Sequence, residues 1–85
     1  MEQKHWVGID VCQKYLDIYI RLVEKLFQLT NDEDGIRELT KILTEIKPKL
    51  IVLEARSMEL NAATQLTQAE LSVAIINSRQ AIVFR

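Results

Sequence analysis

Residues 5–11 read HWVGIDV and alternate between two kinds of side chain. Three β-branched residues, Val7, Ile9 and Val11, share one side of an extended chain. Asp10 stands near the end of the segment, on the opposite side. Because a period of two residues is typical of a half-buried β-strand, we predict a strand over residues 5–11. It is the strand about which we expect the rest of the sheet to be arranged.

Two further strands are predicted directly after it. Residues 15–22 alternate more strictly, with an apolar residue at every second position, and residues 26–30 form a third short extended segment. The connections at residues 12–14 and 23–25 are short enough for hairpins. The first part of the chain is therefore predicted to be an antiparallel three-stranded meander.

The hydrophobic period then changes to that of a helix. Thr30 or Asn31 is the predicted N-cap, and the acids at 32–34 lie at the positive end of the helix dipole. Lys47 ends the helix and Pro48 stops it. The apolar residues spaced along one predicted helix face are Ile36, Leu39, Ile42, Leu43 and Ile46.

A second helix lies between two apolar segments. Residues 50–53 are apolar on both sides, as in a strand that is covered on both faces, and residues 71–76 form another apolar segment. Ser57 is the predicted N-cap of the intervening helix. The residues expected to point inward from that helix are Leu60, Ala63, Leu66 and Ala69.

The predicted order is βββαβαβ, an α/β fold in one domain over residues 1–85. Helical crossovers between parallel strands are right-handed in about 98% of cases. A mixed five-stranded sheet ordered 3-2-1-4-5 satisfies this rule, with both helices on one face. We expect a second copy of the chain, or further residues, to cover the other face. Residues 77–85 are either a tail or the start of a following segment.

Composition excludes several classes of function. The chain has 85 residues, 48% of them hydrophobic, and a formal net charge of −1. This charge gives no reason to expect general affinity for nucleic acid, so any nucleic-acid contact must be local. No apolar run is long enough to cross a membrane. The single cysteine, Cys12, fits a reducing cytoplasm.

Two carboxylates follow neighbouring strands of the predicted sheet. Asp10 lies near the end of strand 1, and Glu54 comes directly after residues 50–53 of strand 4. Parallel neighbours place both acids at the same carboxyl edge, where ligands bind in open α/β sheets. Such a pair suits Mg²⁺, which takes one or two carboxylates and keeps waters for a phosphate. Alternatively, Asp10 accepts backbone N–H bonds from the next turn, and Glu54 faces the dipole of the next helix.

Four segments of the chain, in this order and spacing, resemble a known family. They are residues 7–11 (VGIDV), 15–18 (YLDI), 52–55 (VLEA) and 74–77 (AIIN). The chain resembles the N-terminal part of the DEDD-type transposases of bacterial insertion sequences. Their catalytic domain is similar to the RuvC Holliday-junction resolvase and belongs to the RNase H-like superfamily. The resemblance implies an RNase H-like partial domain for metal-dependent DNA cleavage and strand transfer.

The resemblance also implies site residues and partners. Asp10 and Glu54 match the first two of four acids that hold Mg²⁺ or Mn²⁺, and the other two aspartates lie beyond residue 85. The chain is therefore expected to be inactive alone. DNA and a structured RNA are the implied partners of a longer parent protein. The sequence departs from the family pattern at Cys12, where Ser is usual, and at Glu70, where Gly is common.

Other residues near the predicted edge have competing interpretations. Lys14 and Arg56 are candidates for contact with phosphate, although each is better explained as a solvated side chain, and pairing with Glu54 is an alternative for Arg56. Asp17 is interpreted as a surface residue of strand 2, and Cys12 as a small turn residue.

Two further functions are compatible with the fold. A non-catalytic module that forms a homodimer through the uncovered sheet face fits the small core. An ATP-binding fragment of the actin and sugar-kinase type shares the sheet order, but it needs a Gly-rich hairpin, which residues 11–14 lack.

Overall fold

A computed structural model describes residues 6–21, 23–55 and 61–77 of the chain. Its elements are β1 Trp6–Val11, β2 Tyr15–Ile20, β3 Lys25–Thr30, α1 Glu33–Ile46, β4 Leu50–Ala55, α2 Asn61–Gln68 and β5 Val73–Asn77. The five strands form one sheet ordered β3-β2-β1-β4-β5. β2 pairs antiparallel with β1 and β3, whereas β4 pairs parallel with β1 and β5. The predicted α/β class, element order and strand order are confirmed.

The described bounds of the elements differ from the predicted ones by one or two residues. β3 begins earlier, at Lys25, and β4 continues to Ala55. β5 begins at Val73, because the backbone N–H of Leu71 still donates to the Leu66 carbonyl at the end of α2 (3.2 Å). The predicted cap Ser57 lies outside the described residues, as do His5, Leu22, Leu60 and residues 78–85.

One face of the sheet, here called the inner face, holds the core. Its apolar residues are aligned by register, so that Ile9 of β1 lies between Ile18 of β2 and Leu53 of β4. The buried side chains of both helices belong to the same cluster, which places α1 and α2 on this one face. The buried core residues are Val7, Ile9, Val11, Leu16, Ile18, Ile20, Ile36, Leu39, Leu43, Ile51, Leu53, Ala55, Ala62, Ala63 and Leu66.

The opposite face, here called the open face, is not covered by any of the described elements. Within residues 6–21, 23–55 and 61–77, the helices cover β4 on the inner face only. Leu50 is 38% exposed, and Val52 is half-buried. The side chains that the registers assign to this face include Trp6, Asp10, Tyr15, Asp17, Tyr19, Leu26, Gln28, Leu50, Val52, Glu54 and Ile76.

The N-cap of α1 is Asp32, so the prediction of Thr30 or Asn31 is wrong. The Asp32 carboxylate accepts from the Gly35 backbone N–H (2.8 Å) and from the Thr30 hydroxyl (2.9 Å). These donors hold the pKa of Asp32 below its ordinary value, the Gly35 N–H most strongly. The carboxylate is thus ionised at neutral pH, at the positive end of the helix dipole.

After each helix, a residue other than glycine lies in the left-handed region of backbone conformation. Lys47 lies in the left-handed region (φ 56°), and its backbone N–H donates to the Leu43 carbonyl. Glu70, after α2, also lies in this region (φ 65°). Glycine is the usual residue at such a helix end because it has no Cβ to strain the backbone. The backbone at Glu70 therefore has a conformation that glycine adopts at lower cost than glutamate.

Neither described helix is long and apolar enough to cross a membrane.

The approach of α1 to the end of β3 leaves no space for a side chain at Gly35. A Cβ built on Gly35 would overlap the Thr30 carbonyl oxygen and would also lie 2.8 Å from the Thr30 hydroxyl. Both of these Thr30 atoms are held in place, since β3 fixes the backbone and Asp32 accepts from the hydroxyl. Gly35 is therefore required by close packing of backbone on backbone.

We predict that Gly35→Ala destabilises the chain by about 1–3 kcal/mol, the usual cost of an overpacked site. This loss exceeds the gain of up to about 1 kcal/mol that alanine brings to a helix interior. Urea unfolding followed by circular dichroism measures the change. The control is Glu38→Ala on the exposed side of the same helix, which is expected to have little effect. Unchanged or increased stability of Gly35→Ala would contradict the packing described here.

Candidate metal centre

Asp10 is the middle residue of a row of five side chains across the open face, four of which are polar. Glu54 is its register partner on β4, and Asp17 is its register partner on β2. Gln28 of β3 continues the row beyond Asp17, and Ile76 of β5 ends it beyond Glu54. Adjacent strands lie about 5 Å apart. Three carboxylates therefore stand on three neighbouring strands of the sheet.

The position of Glu54 beside Asp10 follows from the apolar pattern of the two strands. Each acid is the residue before the last in its strand, and β1 and β4 run parallel. A shift of register by one residue would turn Ile9 or Leu53 of the inner face toward the open face. Burial of the core thus aligns the two acids at the carboxyl edge, as the sequence predicts.

The hairpin between β1 and β2 brings Asp17 to the same row. The Cys12 backbone N–H donates to the Tyr15 carbonyl (2.9 Å), which closes a turn with Gln13 and Lys14 at its centre. Val11 then pairs with Leu16 on the inner face, and Asp10 with Asp17 on the open face.

Asn31, which directly follows β3, donates two hydrogen bonds to this turn. Its side-chain amide donates to the Cys12 carbonyl (2.7 Å), and its backbone N–H donates to the Lys14 carbonyl (2.9 Å). The turn has no residue with positive φ, so it does not rely on glycine or on a left-handed residue for its shape. The contacts of Asn31 therefore contribute to fixing both Cys12 and the strands that the turn connects.

Cys12 lies close to two of the acids. One ligand atom of each of Asp10, Cys12 and Asp17 lies within 4.8 Å of the others, and all three residues are half-buried. Glu54 is not part of this group of three. Asp10 is therefore the register partner of Glu54 and also a member of the mixed group with Cys12 and Asp17.

The charges of this row are not balanced by the described part of the chain. Oδ1 of Asp10 has almost no exposed surface and accepts no hydrogen bond from the described residues. Asp17 accepts from the Gln28 side-chain amide (2.8 Å). The ion pair found within residues 6–21, 23–55 and 61–77 joins Arg37 to Asp34 on α1, and involves none of the three acids. Like charges in register on adjacent strands repel each other.

A divalent cation fits this arrangement of donors. Carboxylate oxygens are the ligands that Mg²⁺ and Mn²⁺ prefer, and a bound cation would satisfy the buried Oδ1 of Asp10. It would also offset the repulsion between neighbouring carboxylates, which otherwise destabilises the fold. The residues present are therefore compatible with the metal that the family resemblance implies.

Apolar side chains surround the acids in a shallow groove of about 550 Å³. Trp6 packs edge-on against Tyr19, with ring centroids 6.2 Å apart, and the Arg21 guanidinium lies 5.9 Å from the centre of the Trp6 ring. These aromatic rings thus contact each other, as in ordinary packing. An apolar surround strengthens electrostatic interactions among the acids, because it lowers the local dielectric constant.

The remaining predicted site residues are placed only in part. Lys14 is exposed in the turn at the same edge as Asp10 and Glu54. Arg56 lies outside the described residues.

The sequence interpretation missed the group formed by Asp10, Cys12 and Asp17, although the apolar alternation contains the signal. Pairing of Val11 with Leu16 on one face requires Asp17 opposite Asp10 on the other.

Comparison of the chain with models of known protein families gives no match, and a search of curated proteins gives none either.

We predict that Asp17→Asn stabilises the metal-free chain by roughly 0.2–1 kcal/mol, because it removes one like charge from the row. Asparagine keeps the oxygen that accepts from Gln28, so the hydrogen bond is retained. Urea unfolding in the presence of a chelator measures the gain. Glu38→Gln, which neutralises an exposed acid on α1, serves as the control and is expected to change little. Destabilisation by Asp17→Asn would show that the charge on Asp17 is compensated.

Proposed function

We propose that the chain is the N-terminal part of an RNase H-like catalytic domain of the DEDD transposase type. Its chemistry is metal-dependent cleavage and transfer of DNA phosphodiesters. The observation that supports this proposal most directly is the register of β1 with β4, which pairs Asp10 with Glu54 at the carboxyl edge. The sheet order 3-2-1-4-5 and the resemblance of four segments to that family agree with it.

Asp10 and Glu54 have the role of metal ligands in this proposal. When bound, Mg²⁺ or Mn²⁺ polarises the scissile phosphate and activates the attacking oxygen. The two carboxylates would hold the cation at the carboxyl edge of the sheet, where ligands bind in open α/β sheets. Lys14 and Arg56 are the side chains assigned to phosphate contact. Of these two, Lys14 is in an exposed turn beside the acids, as that role requires.

The acid set in residues 1–85 is half of what the proposed reaction needs. The resemblance places two further aspartates beyond residue 85, so these residues alone are expected to bind metal weakly and not to cleave DNA. DNA and a structured RNA are, in this proposal, partners of the longer parent protein.

A second candidate function is a non-catalytic interaction module that forms a homodimer through the open face. Large apolar side chains are exposed there: Trp6 is 40% exposed and Leu26 is 73% exposed. This candidate is compatible with the first, since a domain without its later segments would still have an uncovered face. Light scattering that finds only monomers at high concentration would remove it.

An ATP-binding fragment is less favoured by the hairpin. Phosphate-binding hairpins of that kind use glycine so that backbone N–H groups approach the phosphates closely. Here the turn centre is Gln13 and Lys14, and neither residue has a positive φ.

We predict that Mg²⁺ or Mn²⁺ binds to the chain through Asp10 and Glu54. In an NMR titration, Mn²⁺ at substoichiometric concentration should broaden the amide signals at the ends of β1 and β4 first. Asp10→Asn and Glu54→Gln should each weaken this effect about 10-fold or more, the usual effect of losing a group on which metal binding depends. The control is Asp34→Asn, which removes the charge of an exposed acid on α1.

Two outcomes would contradict the proposal. Broadening centred on the acids of α1, unchanged in Asp10→Asn and Glu54→Gln, would remove the metal site. DNA cleavage by the purified chain that is lost in Asp10→Ala would show that the acid set is already complete.

A further inference from the structure

The geometry points to a second, softer metal site that shares Asp10 with the proposed magnesium site. We propose that Asp10, Cys12 and Asp17 bind Zn²⁺, and that Zn²⁺ bound there excludes Mg²⁺ or Mn²⁺ from the pair formed by Asp10 and Glu54. This inference deepens the proposed function by assigning an inhibitory cation to the same edge of the sheet. It depends on two residues, Cys12 and Asp17, to which the transposase proposal gives no role.

The spacing of the three ligand atoms carries the inference. They lie within 4.8 Å of one another, a separation that one metal ion can bridge when each bond is about 2.0–2.3 Å long. Strand geometry explains the grouping, because Cys12 follows Asp10 by two residues and Asp17 is the register partner of Asp10. All three residues are half-buried, and the hairpin between β1 and β2 holds them together.

The buried oxygen of Asp10 is a second, independent observation in favour of a cation. Oδ1 of Asp10 has almost no exposed surface and no donor among the described residues. A buried acceptor that receives no hydrogen bond costs free energy. A metal ion that coordinates this oxygen would remove the cost, as a hydrogen-bond donor would. Asp17 is already oriented by the Gln28 amide, in the way that outer groups orient metal-binding carboxylates.

The sulfur decides which metal the group prefers. Thiolate is a soft ligand that favours Zn²⁺, whereas Mg²⁺ and Mn²⁺ favour oxygen. On binding, Cys12 releases its thiol proton to solvent and forms a sulfur–metal bond, so no oxidant or reductant is needed. With three protein ligands, the fourth position of a tetrahedral Zn²⁺ is left for water.

The experiment uses the whole chain with zinc or cadmium ions alone. The background variant is His5→Gln, because His5 is the one histidine of the sequence and would otherwise compete as a zinc ligand. Cd²⁺ reports sulfur ligation through the ultraviolet charge-transfer band of a cadmium–thiolate bond. Zn²⁺ affinity is measured by calorimetry, and Mn²⁺ binding by NMR broadening with and without Zn²⁺.

The expected result is one Cd²⁺ per chain with a thiolate band, and Zn²⁺ binding that displaces Mn²⁺. Cys12→Ser should abolish the band and weaken Zn²⁺ by roughly 10–100-fold, while leaving Mn²⁺ binding unchanged. Asp17→Asn should weaken Zn²⁺ to a similar extent. Glu54→Gln should weaken Mn²⁺ and leave the cadmium band in place.

The outcomes separate this inference from the transposase proposal. Absence of a thiolate band, or unchanged Zn²⁺ affinity in Cys12→Ser and Asp17→Asn, overturns the soft-metal site whatever Mn²⁺ does. Loss of Mn²⁺ binding in Glu54→Gln together with such a result leaves the magnesium site standing alone. A thiolate band without Mn²⁺ binding supports the soft-metal site and removes the proposed function.

Discussion

The register of β1 with its two neighbours is the constraint on which the rest of the structure depends. β1 is the central strand, and Ile9 and Val11 must face the helices together with the apolar residues of β2 and β4. A slip of one residue would expose a whole row of the core to solvent. The same constraint fixes the opposite face, where it places Asp10 between Asp17 and Glu54.

This register brings like charges together on adjacent strands, which we expect to lower the free energy of unfolding. Three carboxylates are in register, and one has a buried oxygen that has no partner in the described chain. We expect their repulsion to destabilise the sheet in the absence of a cation. A small domain has little stability to spare, since a chain of this size buries only about 60% of its unfolded surface. Unfavourable arrangements of this kind are typical of functional sites, where ligand binding compensates them.

Much of the fold could be predicted from the sequence because its hydrophobic periods are clear. Alternation gave the meander, a helical period gave α1, and the rule of right-handed crossovers gave the sheet order. The N-cap of α1 was assigned to the wrong residue, because Thr30, Asn31 and Asp32 are all of types that favour this position. The Thr30 hydroxyl donates to Asp32, and the Asn31 amide donates to the Cys12 carbonyl, so neither caps the helix.

The candidate site was predictable to a similar degree. The pairing of Asp10 with Glu54 followed from parallel strands alone, whereas the position of Asp17 depended on the length of the hairpin turn. If residues 12–14 are all assigned to the turn, Asp10 is not paired with Asp17. If only Gln13 and Lys14 form the turn, as in the structure, Asp10 pairs with Asp17 and the apolar residues of both strands stay on one face. The requirement for Gly35 had no local signal, because it arises from the carbonyl of Thr30 on another element.

A double-mutant cycle between Asp10 and Glu54 tests the central claim most directly. The free energy of unfolding is measured with a chelator present for the original chain, Asp10→Asn, Glu54→Gln and the double variant. We expect a repulsive coupling energy of about 0.5–1 kcal/mol that disappears when Mn²⁺ is added in excess. Additive effects of the two substitutions in the chelator would show that the carboxylates do not interact, and would contradict a shared site at this edge of the sheet.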